Sequence, residues 1–170
     1  VKLTPFSVAD HLDSPEAVAE YRRQCNAHAF LDAIAYSEGT AGHGDDGYNV
    51  LVGGDLFHGY ADHPRKLVTL NKAGLKSTAA GRYQILSRTW DDLKARLGLL
   101  DFGHESQDKA ALELVRECHA LDDVEAGRFD EAVAQCAHIW ASFPGAGYGQ
   151  HENELTKLRG AFVRAGGVLA

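Results

Sequence analysis

Glu38 is the residue of this chain best placed to do acid–base chemistry. It lies in the segment Ala35-Tyr36-Ser37-Glu38-Gly39-Thr40. Upstream, Phe30, Leu31, Ile34 and Ala35 recur at helical spacing and form an apolar face. Glu38 falls four residues after Ile34, on that same face. Gly39 follows as a helix stop. A carboxylate in this position is destabilised by its apolar surroundings and by the negative end of the helix dipole. Both effects raise its pKa towards the range of a general acid at neutral pH. The ordinary alternative is a solvated glutamate in the last turn of a helix, and position alone does not displace it. Nine histidines invite a metal reading, with His58 and His63 close together and His43 upstream. None has a zinc-ligand spacing such as His-Glu-x-x-His, so the sequence assigns no metal and no cofactor.

The elements that must position Glu38 come next. Ser14-Pro15-Glu16 is a helix start, with a capping serine and a proline in the first turn. The pattern predicts one helix to about Gln24 and a second to about Ser37, with a break near Asn26. Residues 39–47, rich in glycine and aspartate, read as a mobile loop. Tyr48 to Phe57 reads as a hairpin around Gly53-Gly54, and Lys66 to Leu70 as a third short strand before a turn at Asn71 to Gly74. Helical stripes return after Ser87: Trp90, Leu93 and Leu97 closed by Gly98; Ala111, Leu114, Val115 and Cys118 in a helix opened by Ser106. Phe129, Val133, Cys136 and Trp140 follow, ended by Pro144, and Leu155, Leu158, Phe162 and Val163 end the chain. These stripes are core. The fold class is α+β, a helical body with a small antiparallel β lobe and an interlobe cleft as the natural ligand site.

Composition narrows the partners. The chain has 170 residues and a net charge of −7, which argues against nucleic acid and against stable membrane association through bulk charge. Arg65, Lys66, Lys72, Lys76, Arg82 and Arg88 cluster in mid-sequence, and a solvated rim is the simplest reading of them. No apolar run is long enough to span a membrane, and Val1 to Asp10 lack the pattern of a signal peptide. Three widely spaced cysteines, Cys25, Cys118 and Cys136, do not read as a disulfide framework, and the last two fall on apolar faces as buried thiols.

Several long strings carry a resemblance. They are Tyr36 to Thr40, Gly47 to Phe57, Asp62 to Asn71, Leu75 to Gln84 and Ile139 to Gln150, in order and with spacing kept. Together they resemble the lambda-type endolysin family of phage lysozymes. The resemblance starts near residue 29. It divides the chain into an N-terminal helical extension, 1–28, and a lysozyme-like catalytic domain, 29–170. Tyr36 stands where the family usually has tryptophan.

The resemblance implies a lysozyme-like fold and a lytic transglycosylase. Such an enzyme cuts the β-1,4 bond from N-acetylmuramic acid to N-acetylglucosamine in peptidoglycan glycan strands and leaves a 1,6-anhydro ring. Glu38 carries the family's catalytic role. A hydrolytic glycosidase usually needs a second carboxylate, and Asp45, Asp46, Asp55 and Asp62 are the candidates, Asp45 and Asp46 being nearest in sequence. Ala79 to Gln84 resembles the family's small-residue, glycine, glutamine motif. There the backbone approaches a sugar closely and the Gln84 amide can both donate to and accept from an N-acetyl group. Tyr148 between two glycines can stack on a sugar or hydrogen-bond Glu38. Ser77, Thr78 and Tyr83 are further sugar-contact candidates.

Three other readings stay open: a hydrolytic muramidase on the same scaffold, a virion-associated domain that degrades or binds the wall, and a zinc amidase. A lysis enzyme without an export signal waits in the host cytoplasm until a holin opens the membrane and releases it to the periplasm and wall. A virion domain would reach the wall from outside. A monomer is the expected state.

Overall fold

The computed structural model describes residues 14–147 and 153–170. They fall into two compact units. One is helical and combines the described residues of Val1–Ser37 with those of Val115–Ala170; the other is Glu38–Leu114.

The helical unit is organised on α1, Pro15–Ser37. Ser14 caps it: its Oγ accepts the Ala17 N–H at 3.1 Å, and Pro15 and Glu16 occupy the first turn. The expected break near Asn26 is absent, and α1 runs unbroken for 23 residues. The reason is long-range. Asn26 is fully buried; its Nδ2 donates to the carbonyls of Glu125 (3.1 Å) and Val168 (3.2 Å), and its Oδ1 accepts the Val168 N–H at 2.8 Å. An asparagine whose polar groups are spent across the core does not compete for its own helix backbone.

α1 packs on α4 (Leu121–Ala126) and on α6 (Leu155–Arg164), and α4 packs on α5 (Phe129–Cys136). Phe30 meets Phe129 and Phe143 edge-on at 5.7 and 6.2 Å, and Phe129 lies 4.9 Å from Phe162. Cys118 and Cys136 are buried, as their stripes require. α5 stops at Cys136, short of the stripe read as far as Trp140, although Trp140 remains buried in the turns that follow. Val163 is half exposed rather than inward, because it is rotated about 100° from Phe162 on the same helix.

In the other unit, β1 (Val68–Thr69) pairs antiparallel with β2 (Lys76–Ser77) across the turn expected at Asn71 to Gly74. Tyr48 to Phe57 turns at Gly53-Gly54 into a short hairpin: the bridge Val50↔Leu56 is flanked by Leu51 N–H to Asp55 O at 2.7 Å and Phe57 N–H to Asn49 O at 2.9 Å. Its first limb also bonds outward: the Val52 N–H donates to Ala79 O at 2.9 Å, and Val50 O accepts the Gly81 N–H at 2.8 Å. α2 (Ser87–Leu97) ends at Gly98 in the left-handed region, and α3 spans His104–Glu117, starting two residues before the expected Ser106. Residues 39–47 form consecutive hydrogen-bonded turns, with His43 N–H to Thr40 O at 3.0 Å and Gly47 N–H to His43 O at 2.7 Å.

His63 is buried in this unit against Phe102. Its Nδ1 accepts the Arg65 N–H at 3.0 Å, so the proton sits on Nε2, which donates to Ile85 O at 2.9 Å. Burial lowers its pKa below 6.5. The folded chain therefore refuses a proton that the unfolded chain takes up, so stability is full above pH 6.5 and declines as pH falls through that value. Urea midpoints measured from about pH 8 to 5 should fall on the acid side. His63→Gln should flatten that fall. Asn26→Leu leaves three backbone groups unpaired and should cost about 3 kcal/mol in the same assay at pH 7.

Candidate active site

Glu38 is half-buried one residue beyond α1. Two features fix the chain there. Gly39 takes φ +71°, which ends the helix. Before it, Ser37 is clamped within the helical unit: its Oγ bonds Ser142 Oγ at 2.8 Å, and its carbonyl, one of the orphans of the helix end, accepts the Asn153 amide at 3.0 Å. The Tyr36 ring, exposed on α1, lies under the Arg164 guanidinium at 5.9 Å.

The segment after Glu38 is held by a buried polar cluster. Thr40 Oγ1 donates to Arg82 O at 2.5 Å. Gly47 lies against Thr40 so closely that a Cβ would stand 2.9 Å from the Thr40 carbonyl. The Arg82 side chain is 5% exposed. Its guanidinium binds Asp46 through both the backbone carbonyl and the carboxylate, the latter at 2.9 Å, and sits 5.2 Å over the Tyr48 ring. The Arg82 N–H donates to Gln107 Oε1 at 2.9 Å, and Gln107 Nε2 donates to the carbonyls of Tyr48 and Phe102.

The glycine of the sugar-contact motif has an internal reason. Gly81 takes φ +79°, and a Cβ there would lie 2.2 Å from Gln107 Oε1. The close approach it permits is to a side chain of its own unit. Gln84 also has φ > 0, at +50°. Its Nε2 faces two carbonyls, Gly81 O at 2.9 Å and Val50 O at 3.3 Å, so the donor end of the amide is occupied by the fold and Oε1 points away as an acceptor. The Tyr83 ring is 2% exposed and its hydroxyl donates to Asp108 at 2.6 Å; Tyr48 donates to the same oxygen at 2.8 Å. Burial first, then the Asp108 charge, pushes the Tyr83 hydroxyl far above its usual pKa. Ser77 Oγ accepts the Ala79 N–H, and Thr78 Oγ1 accepts both the N–H and the hydroxyl of Ser87 at the start of α2. Both are half-buried. Tyr148 lies outside the described residues.

Three of the four further carboxylates are committed to neighbours. Asp45 accepts Tyr60 Oη at 2.6 Å and His104 Nε2 at 2.7 Å, which lower its pKa. Asp46 holds Arg82 and accepts the Gly42 N–H at 2.8 Å. Asp62 accepts from Arg65, Trp90 Nε1 and Lys94. Burial alone would raise its pKa, but these donors hold it well below the usual carboxylate range. Asp55 is exposed. The basic cluster of the sequence is likewise split: Arg65 pairs with Asp62 and Asp91, and Arg82 is buried, while Lys66, Lys72 and Lys76 are exposed.

The sequence does not single out Gln107 and Asp108, and Arg82, read with the basic cluster as a solvated rim, is instead buried because its guanidinium is paired within the fold. Gln107 has a faint signal, four residues before Ala111 on the inward face of α3. Nothing in the sequence marks Asp108 as a shared acceptor.

The described fold and its neighbours agree. An Endolysin family model matches residues 28–169. The endolysin of Escherichia phage lambda is 52% identical over 145 residues, covering 83% of this chain and 91% of that protein. The endolysin of Escherichia phage P2 is 48% identical over 157 residues, covering 85% and 95%. Bacteriophage lambda lysozyme complexed with a chitohexasaccharide superposes with a TM-score of 0.83 at 50% identity, over 86% of this chain and 97% of that one. A second structure, lysozyme from bacteriophage lambda, gives 0.79 at 49% identity over the same shares. The fold is lysozyme-like, a helical body with a small two-stranded antiparallel sheet, and the chain belongs to the endolysin family, the lysozyme-like phage enzymes that degrade the bacterial cell wall.

Proposed function

We propose that this chain is a lytic transglycosylase. It cleaves the β-1,4 bond from N-acetylmuramic acid to N-acetylglucosamine in peptidoglycan and releases 1,6-anhydro-muramic ends, with Glu38 as its one acid/base. The observation that carries this reading is the commitment of three of the four other candidate carboxylates. Asp45, Asp46 and Asp62 are each held by donors of the fold, which leaves them poor proton carriers. Glu38 sits half-buried at a helix end, where a general acid is expected. A relative solved with a chitohexasaccharide supports a β-1,4-linked N-acetylated glycan as the ligand class.

The chemistry needs only one such group. Protonated Glu38 gives its proton to the glycosidic oxygen, and the bond to C1 of the muramic ring breaks as an oxocarbenium-like centre develops. The Glu38 carboxylate then takes the proton of the C6 hydroxyl of the same ring, whose oxygen closes onto C1. The nucleophile is already tethered to the electrophile, so no water is consumed and proximity supplies much of the rate. The free Oε1 of Gln84 is suited to accept the N–H of an N-acetyl group, its donor end being spent on Gly81 and Val50. Ser77, Thr78 and Tyr148 supply further sugar contacts, and Tyr83 acts from the interior by fixing Asp108 beneath the motif.

In this reading the enzyme works as a monomer and depends on a holin to pass from the host cytoplasm to the wall. No helix among the described residues is long and apolar enough to cross a membrane. Residues 1–28 are an N-terminal extension, of which 15–28 belong to α1, and 29–170 the catalytic domain.

The test is mass spectrometry of fragments released from purified peptidoglycan. Fragments one water lighter than hydrolysis products are expected, and Glu38→Gln should reduce their yield by about 10²–10⁴-fold while melting like the parent. Full-mass reducing fragments that vanish in Asp55→Asn would instead make the chain a hydrolytic muramidase.

A further inference from the structure

The β1–β2 hairpin carries lysines and leucines that the fold does not use. The chain has 24 acidic residues, yet none falls between Asp62 and Asp91. Of the basic residues in that interval, Arg65 and Arg82 are held by carboxylates, whereas Lys66, Lys72 and Lys76 pair with no carboxylate among the described residues. The hairpin stands clear of its unit, since every residue from 69 to 76 is exposed. Leu67 is 59% exposed, Leu70 40% and Leu75 49%. The tip is ordered by its own hydrogen bonds. The Leu70 N–H donates to Leu75 O at 2.7 Å, the Gly74 N–H to Asn71 O at 3.1 Å, and Asn71 Oδ1 accepts the Leu75 N–H at 3.1 Å. Leu70 and Leu75 thus sit opposite each other one step beyond the Thr69↔Lys76 pair, on the other face of the ladder from Lys76.

We propose that the tip of this hairpin is a lipid-contact surface that docks reversibly on an anionic phospholipid bilayer, with Leu70 and Leu75 seated at the headgroup–acyl boundary and Lys66, Lys72 and Lys76 drawn to the headgroup phosphates. Apolar insertion and a basic patch are each marginal alone, and together they make a usable membrane contact. Lys72 lies in the turn between the two leucines, and its long apolar stem lets the ammonium stay at the phosphates while the leucines go deeper. Lys76 and Lys66 stand behind the tip. They need not touch a headgroup to contribute, because at physiological ionic strength attraction to the surface reaches about 8 Å. The hydrogen-bonded tip exists before contact, so docking orders little additional chain.

The residue types point to lipid over other anionic partners. Lysines flanking a short exposed strand pair are an ordinary guard against edge pairing, but that role does not call for leucines at the tip. Single-stranded nucleic acid needs aromatic platforms for its bases, and residues 64–76 hold no aromatic side chain. Protein interfaces favour aromatic residues and arginine and are poor in lysine, the reverse of this patch. A bilayer asks only for apolar side chains that can enter it and positive charge at its surface. The chain as a whole carries a net charge of −7, so the attraction is local and the hairpin is the part that meets the membrane. This inference does not rest on the transglycosylase reading of Glu38.

The full chain is sedimented with vesicles of phosphatidylcholine alone and with vesicles that also contain phosphatidylglycerol, at low and at high salt. It should pellet with the anionic vesicles only, and release as salt approaches about 1 M, where screening shortens to about 3 Å. Replacing the three lysines together, by Lys66→Ser, Lys72→Ser and Lys76→Ser, should weaken binding to the anionic vesicles by about 10²-fold. Leu70→Ser with Leu75→Ser should weaken it by about 10-fold or more. Both variants should melt like the parent and digest purified peptidoglycan, which contains no lipid, at the parent's rate. A parent that stays in solution with anionic vesicles, or pellets equally with both kinds, would overturn the proposal. So would a lysine variant that pellets like the parent, and if that variant had also lost digestion of purified peptidoglycan the hairpin would be assigned to the wall polymer instead. The headgroup and salt comparisons use the unaltered chain, so they decide the matter even if a variant fails to fold.

Discussion

Burial of the Arg82 guanidinium is the constraint on which the Glu38–Leu114 unit depends. A cation taken out of water is costly unless paired and fully hydrogen-bonded, and losing one partner of a buried pair typically costs about 3–5 kcal/mol. Arg82 meets the demand through Asp46, whose carbonyl and carboxylate it binds together, and through the face of Tyr48. Its own peptide group is used as well, the N–H by Gln107 and the carbonyl by Thr40. One buried residue thereby joins the turn after Glu38, the loop at Asp46 and the sugar-contact motif at residues 79–84. The short strands could not do this, since β1 and β2 contribute two residues each. Where a sheet is this small, buried polar contacts set the geometry that strand ladders set elsewhere.

The helical unit solves a related problem with neutral groups. α1 carries a buried asparagine in its middle and a buried serine at its end, and each is satisfied from distant parts of the chain. These bonds fix the rotation and the termination of α1 more tightly than the aromatic cluster around Phe30 does, because apolar contacts are non-directional and tolerate small rotations. The termination is what matters for chemistry. Ser37 is held from two sides, and the chain then turns at Gly39, so Glu38 leaves a fixed point.

The carboxylates divide by what surrounds them. Asp45, Asp46 and Asp62 are acceptors in networks, and a carboxylate held by several donors is a weak base and a poor proton carrier. The same division appears inside the sugar motif, where Tyr83 and the amine end of Gln84 support the backbone while the acceptor end of Gln84 remains outward. Neighbouring residues in one motif thus do different jobs, and residue type alone does not say which.

What the sequence determined by itself was local. The Ser14-Pro15 start, the stops at Gly39 and Gly98, the turn at Asn71 to Gly74, the inward stripe of α3 and those of α2 and α6 apart from exposed Leu97 and Val163 follow from caps, glycine conformations and periodicity, which act over a few residues. The conspicuous strings around Glu38 and Gln84 also identified the family, and with it the lysozyme-like fold. The tertiary structure decided everything that depended on partners far along the chain. Asn26 looked like a break and became a bridge to Glu125 and Val168. Gly53-Gly54 marked the tip of a hairpin, but not that its first limb would also bond Ala79 and Gly81. Gly81 looked shaped for a sugar and makes room for Gln107. In each case a buried polar group had to find a partner, and short-range pattern cannot reveal which distant residue will meet it.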